Sequence, residues 1–169
     1  LTFSDFTPLS SANDIAGKKI LVVNMAGFLD FNTKFVADSF EKYGAECRIS
    51  SINLPELERL RISPTEMRST NIARVLENEK TLEALILELT GKISGFDIVA
   101  LPAVFGLSSA ASVKKLKESL DIPVWLIPTM PPSVPGIRAQ QQLRRSFEEL
   151  GGVYMLGDTV VKADFSGNK

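Results

Sequence analysis

The chain has 169 residues, one domain's worth and enough to bury a sizeable core. It is 44% hydrophobic and 23% charged with a formal net charge of −1, so it is globular in composition and not built for a nucleic-acid partner. No apolar run approaches the roughly 20 residues of a membrane-spanning helix, and with one cysteine and no histidine there is no disulfide framework, no thiolate cluster and no imidazole base.

Residues 1–17 are rich in Ser, Thr and Asn and read as an irregular lead-in. Residues 20–23 (ILVV) form a continuous β-branched and aliphatic run, as expected for a strand covered on both faces of a parallel sheet. The chain turns at Ala26-Gly27. A helix is predicted from Asn32, a suitable N-cap, to about Tyr43, with Phe35, Val36, Ser39, Phe40 and Tyr43 inward and Gly44 ending it. Residues 45–52 follow as a second strand, completing a β-α-β unit.

A short helix is predicted over 54–62, opened by Pro55. Ser63 and Glu66 stand at capping-box spacing, which predicts a helix start there and a helical MRSTNIARVLEN with Met67, Ile72, Val75 and Leu76 buried. Residues 79–90 give another helix with Leu82, Leu85, Ile86 and Leu89 inward. FDIVAL (96–101) is a third strand, and 108–120 a helix with Val113, Leu116 and Leu120 inward. Residues 122–127 are the fourth strand. After it come prolines at 128, 131, 132 and 135, a stiff loop. An amphipathic helix is predicted over 136–150, with Ile137, Leu143, Phe147 and Leu150 on one face. Residues 153–156 and 159–163 are predicted as a short hairpin turning at Gly157-Asp158. The tail 165–169 reads as loose.

The expected fold is therefore α/β, a three-layer Rossmann-like or flavodoxin-like domain with a mostly parallel sheet and a short C-terminal hairpin. Right-handed crossovers gather the strand-to-helix loops on one edge of such a sheet. Three loops there are candidates for binding. In the first, Asn24 and Gly27 face a small ligand, or Gly27 simply turns the chain while Phe28, Leu29 and Phe31 pack the core; the GxGxxG dinucleotide spacing is absent. In the second, Arg68 and Asn71 sit among polar residues at a helix start, either a phosphate contact or a solvated face. In the third, Ser133 caps a helix, Gly136 leaves its backbone open, Arg138 supplies a fork of donors and Thr129 a hydroxyl. That set suits an anion, while the competing reading is an ordinary strand-loop-helix connection whose Arg138 pairs inside the domain.

The segments NMAGFLDF, SPTEMRSTNIAR, LPAVFGL and IPTMPPSVPGIRAQQQLRRSFEELGGVYMLGD resemble the middle of the B-type subunit of the bacterial anaerobic glycerol-3-phosphate dehydrogenase, from about Lys19 to Val161. The resemblance implies a flavoprotein, with FMN or FAD, that oxidises sn-glycerol 3-phosphate to dihydroxyacetone phosphate. It implies partner subunits and electrons passed toward membrane quinones, hence a cytoplasmic protein peripheral to the membrane through its complex. The family's Gly-rich flavin-binding unit precedes this region and is not in these residues. The chain is therefore expected to be a single α/β domain, 1–169, excised from a larger flavoprotein, inactive alone and without tightly bound flavin. Two roles stay open: a cap on the flavin and substrate site, or an interaction domain docking the flavin domain or partner subunits, with Phe28, Phe105 and Met130 exposed together. An independent sensor of flavodoxin-like build fits the architecture but not the resemblance. No residue is assigned as a catalytic base, and no metal is expected.

Overall fold

A computed structural model describes residues 14–63 and 65–164. Expectations for residues before 14, for Pro64 and for the tail 165–169 lie outside these. The chain divides into two compact units, Leu1–Ala139 and Gln140–Lys169.

The first unit is built on four parallel strands in the order β2-β1-β3-β4: β1 Lys19–Met25, β2 Glu46–Ile52, β3 Ile98–Pro102 and β4 Val124–Ile127. The expected parallel α/β sheet is present. β1 and β3 are central, and Ile20–Val23 and all of β3 are buried, which is why they read as unbroken apolar runs. The edge strand β2 alternates less cleanly and leaves Ile49 exposed.

Five helices are α1 Thr33–Glu41, α2 Pro55–Arg61, α3 Ser69–Leu76, α4 Glu79–Thr90 and α5 Ala111–Ser119; α6, Val134–Glu149, runs from the first unit into the second. Register partners of a parallel sheet share a face, so Val22, Ala100 and Trp125 point the same way. Phe40 of α1 meets the Trp125 ring edge-on at 6.0 Å, which places α1 on that face. The right-handed rule then puts α2 to α5 on the other, because the connections β2-to-β3 and β3-to-β4 run the opposite way across the sheet.

Several local expectations shift. In α1 the buried residue is Ala37, flanked by half-buried Val36 and Phe40, while Phe35 and Tyr43 are exposed. The helix is turned slightly from its expected phase because only its narrow inner stripe reaches the sheet. Asn32 caps it as expected, accepting the Phe35 N–H at 2.9 Å. The capping box at Ser63 is not used. The Glu66 N–H donates to the Ser63 carbonyl at 2.8 Å, and α3 starts at Ser69 with Arg68 as a cap that offers no side-chain bond. Met67, Ile72 and Leu76 are nevertheless buried as expected.

The second unit ends α6 in a Schellman motif. Gly151, at φ +86°, donates to Glu148, and Gly152 donates to Phe147. The expected C-terminal hairpin is absent: residues 153–164 contain no strand. A two-stranded hairpin with no third strand or helix to pack on is marginal, and Val153, Met155, Leu156, Val160 and Val161 are all exposed.

Candidate functional site

The winding of the sheet reverses between β1 and β3, so the loops leaving their carboxyl ends diverge to opposite faces. That is where doubly wound sheets form a crevice.

The loop after β1 is held from below by Asn24. Its Nδ2 donates to the carbonyls of Phe28 at 2.7 Å and Phe31 at 3.2 Å. Two acceptors on one nitrogen fix the amide's orientation. They leave Oδ1 buried without a partner. Gly27 turns the chain at φ +88°, and a Cβ there would meet the Arg61 side chain at 3.0 Å. Phe28 and Phe31 are buried in the core, as one of the two readings expected, whereas Leu29 is exposed. An open cleft of about 490 Å³ runs beside Asn24, Gly27, Leu29, Ile49 and Ser51. This turn is not shaped for a dinucleotide diphosphate. Its one glycine lies under Arg61, its aromatic rings fill the space below, and the Phe35 N–H of the following helix is spent on Asn32.

The loop after β4 delivers the expected cap. The Ser133 hydroxyl accepts the Gly136 N–H at 3.3 Å, and a Cβ on Gly136 would lie 2.8 Å from that hydroxyl oxygen. Pro135 has no N–H, so of the first three helical amides only that of Val134 stays unspent by cap or ring. The Arg138 guanidinium reaches across to the loop after β3, where Nη1 donates to the Gly106 carbonyl at 2.6 Å. Its partial burial lowers its pKa below the usual arginine range. Gly106 accepts this approach because it has no side chain. At φ +70°, its Cβ would fall 2.5 Å from Arg138 Nη1 and 2.7 Å from the Ser109 carbonyl. Glu77, the C-cap of α3, fixes the next part of the loop, accepting from Ser108 N–H at 2.6 Å and from its hydroxyl at 3.0 Å. A small apolar cluster of Ala73, Leu107, Val134 and Ile137 packs under these bonds.

Of the residues singled out from sequence, Ser133 and Gly136 bond each other at the start of α6, and Arg138 bonds Gly106. Asn24 and Gly27 share the first loop, which Arg68 approaches through an exposed pair with Asp30 at 3.5 Å. Asn71 is turned to its own neighbours, donating to Glu66 and accepting from Arg74 at 2.9 Å. The Thr129 hydroxyl is buried without a partner. So is that of Ser112, in the first turn of α5. Together with Asn24 Oδ1, these are the buried side-chain polar atoms lacking a hydrogen bond among the described residues. All three belong to segments at the carboxyl edge, and a buried group left this way calls for water or a ligand.

Gly106 and Glu77 had no distinguishing signal in sequence; each matters through a partner about 30 residues away. The apolar docking face expected of Phe28, Phe105 and Met130 does not form, because both rings are buried and only Met130 is exposed. Among the described residues no group of three acidic, Cys or His side chains is placed to hold a metal, and no helix is long and apolar enough to cross a membrane.

The chain is similar to proteins named as the B-type subunit of anaerobic glycerol-3-phosphate dehydrogenase. It is 40% identical to that of Yersinia enterocolitica over 152 residues and 41% to that of Pectobacterium carotovorum over 153, each 90% of this chain and 36% of the relative. It is 34% identical to that of Yersinia pestis over 169 residues, all of this chain and 40% of the relative. The chain thus spans well under half the length of these curated relatives. No solved structure matches it. The family described as FAD binding domain matches residues 6–168, so nearly every element of the sheet and its loops lies inside the match, and the chain belongs to that family.

Proposed function

We propose that this chain is part of a flavin-dependent dehydrogenase subunit that oxidises sn-glycerol 3-phosphate to dihydroxyacetone phosphate, and that its carboxyl-edge loops cap the flavin and substrate site. The similarity to the dehydrogenase's B-type subunit over 90–100% of the chain carries the reading. The flavin, FMN or FAD, is held by polypeptide beyond these residues, because the turn after β1 offers no diphosphate cradle. The chain's own share is to close the site and orient substrate. Asn24, Thr129 and Ser112 offer unspent hydrogen-bonding atoms to a polyol. Arg138, with Ser133 and Gly136 setting the helix start behind it, offers the positive charge for a phosphate. Asn24, Gly27, Arg68 and Asn71 line or flank the neighbouring loop.

In the complete dehydrogenase, Arg138→Ala is expected to raise KM for glycerol 3-phosphate about tenfold or more with kcat little changed, the mark of a lost ground-state contact. Unchanged KM and kcat in an assembled complex would remove the phosphate role. Loss of assembly would favour the other reading, a domain that docks the flavin domain or partner subunits. That reading draws on the exposed apolar residues beyond position 140. The chain by itself is expected to purify colourless, without flavin absorbance or dehydrogenase activity. Any association with the membrane would be indirect, through the assembled subunits.

A further inference from the structure

The second unit presents apolar side chains to solvent in an ordered way. Leu143 and Phe147 of α6 and Leu150 just past its end recur at helical spacing and are 56%, 48% and 89% exposed. The backbone that follows is held in place by the Schellman motif and by the Arg144 guanidinium, 4.6 Å from the centre of the Tyr154 ring. Gly152 is needed there, since a Cβ would meet the Phe147 ring at 2.5 Å. Past this point VYML and TVVKA have strand-forming composition, yet residues 153–164 make no strand. Leu156 and Val161 are 80% and 93% exposed. Apolar surface gathered this densely in a soluble protein marks a contact.

The geometry points to residues 143–161 as a docking strip for the polypeptide that full-length relatives carry outside the matched stretch, with 153–163 adding strands to the edge of a sheet there. Two observations choose this occupant. The family match continues through residue 168, so the strip belongs to the same flavin-binding family as the sheet domain. The relatives have 60–64% of their length outside a match of 36–40%. A surface on the same polypeptide is present at high effective concentration, an advantage that a second copy or a separate subunit lacks. Strand addition satisfies the backbone of 153–163 while alternate side chains are buried. The inference rests on the reading of this chain as part of a longer flavoprotein.

The test is amide hydrogen exchange of residues 153–163 in two proteins, the 169-residue chain and a chain of the relatives' length that contains it. In the longer chain these amides are expected to exchange at least about 100-fold more slowly, as for paired strands. Leu156→Asp with Val160→Asp in the longer chain should abolish most of that protection, while the amides of β1 stay protected and report that the sheet domain is folded. Equal exchange in both proteins would overturn the inference. So would protection in the short chain that disappears on dilution, which would identify a second copy, or protection gained only when another subunit is added. Flavin absorbance on the same samples separates this from the proposed function. Bound flavin with an unprotected segment sinks only the docking strip, and a protected segment without flavin sinks only the flavin reading.

Discussion

Leu85 and Leu150 are the same side chain, each on the apolar stripe of its helix, in opposite circumstances. Leu85 of α4 is fully buried in the main core, whereas Leu150, just past α6, is almost wholly exposed. The first unit closes on itself, with four strands covered by α1 on one face and by α2 to α5 on the other. In the second, the apolar stripe is just as regular, but Leu143, Phe147 and Leu150 are exposed. Hydrophobic periodicity reports which face of an element wants cover. It does not report whether the cover is in the same stretch of sequence.

One substitution made in both units separates them most widely. Leu85→Ala is expected to destabilise the chain by about 2–5 kcal/mol in urea titration, through lost burial and the cavity left behind. Leu150→Ala should change it by no more than about 0.5 kcal/mol, as an exposed position. In a chain of the relatives' length, the same Leu150→Ala should cost about 1.5–3 kcal/mol if the strip is covered there. A large effect of Leu150→Ala in the short chain would show that the second unit has a core of its own.

Within the first unit, Gly106→Ala is next in size, expected at about 2–3 kcal/mol, from a left-handed backbone that disfavours a Cβ and from the clash with Arg138 and the Ser109 carbonyl. Glu77→Gln should cost less, about 1 kcal/mol, because the amide keeps one acceptor for Ser108 but loses the charge that strengthens both bonds. If the two substitutions affect one loop, their combined effect will depart from the sum.

The four strands, their parallel sense and the core residues of α3, α4 and α5 were legible because each signal is local: a β-branched run, or an apolar residue every three or four positions. The Ser133 cap was legible for the same reason. The carboxyl-edge clamp was not. Arg138 read as an anion ligand because a helix start with an arginine suits one, and only the fold brings the Gly106 carbonyl within 2.6 Å of it. Ser63 and Glu66 carried a correct capping pattern that the chain did not use. The hairpin failed on strand propensity, which describes residues fit for a sheet and is silent on whether a sheet lies beside them.

At neutral pH the smallest stability effect is that of Cys47 ionisation, at the other edge of the sheet. Cys47 lies on β2, half-buried, and its thiol pKa is pushed up to about 11 by burial and, secondarily, by the charge of Glu41. In the unfolded chain the thiol ionises near its ordinary value of about 8.5. Between the two values the unfolded state has lost a proton that the folded state still holds, so rising pH favours unfolding. The contribution is complete below the unfolded pKa and is lost as pH climbs toward 11. Wild type should therefore lose more stability than Cys47→Ala over that alkaline window, and the two curves should run parallel below it. The same shift slows alkylation. At pH 8 an ordinary thiol is about one-quarter thiolate and this one about one part in a thousand, so iodoacetamide should react roughly 250-fold more slowly than with the unfolded chain. A cleft of about 310 Å³ lined by Lys19, Glu46, Arg48 and Phe96 also borders Cys47, so access is not what limits the reaction. Alkylation that remained slow at about pH 11 would point to packing around the sulfur instead, and would place Cys47 with the closed core rather than at an open edge.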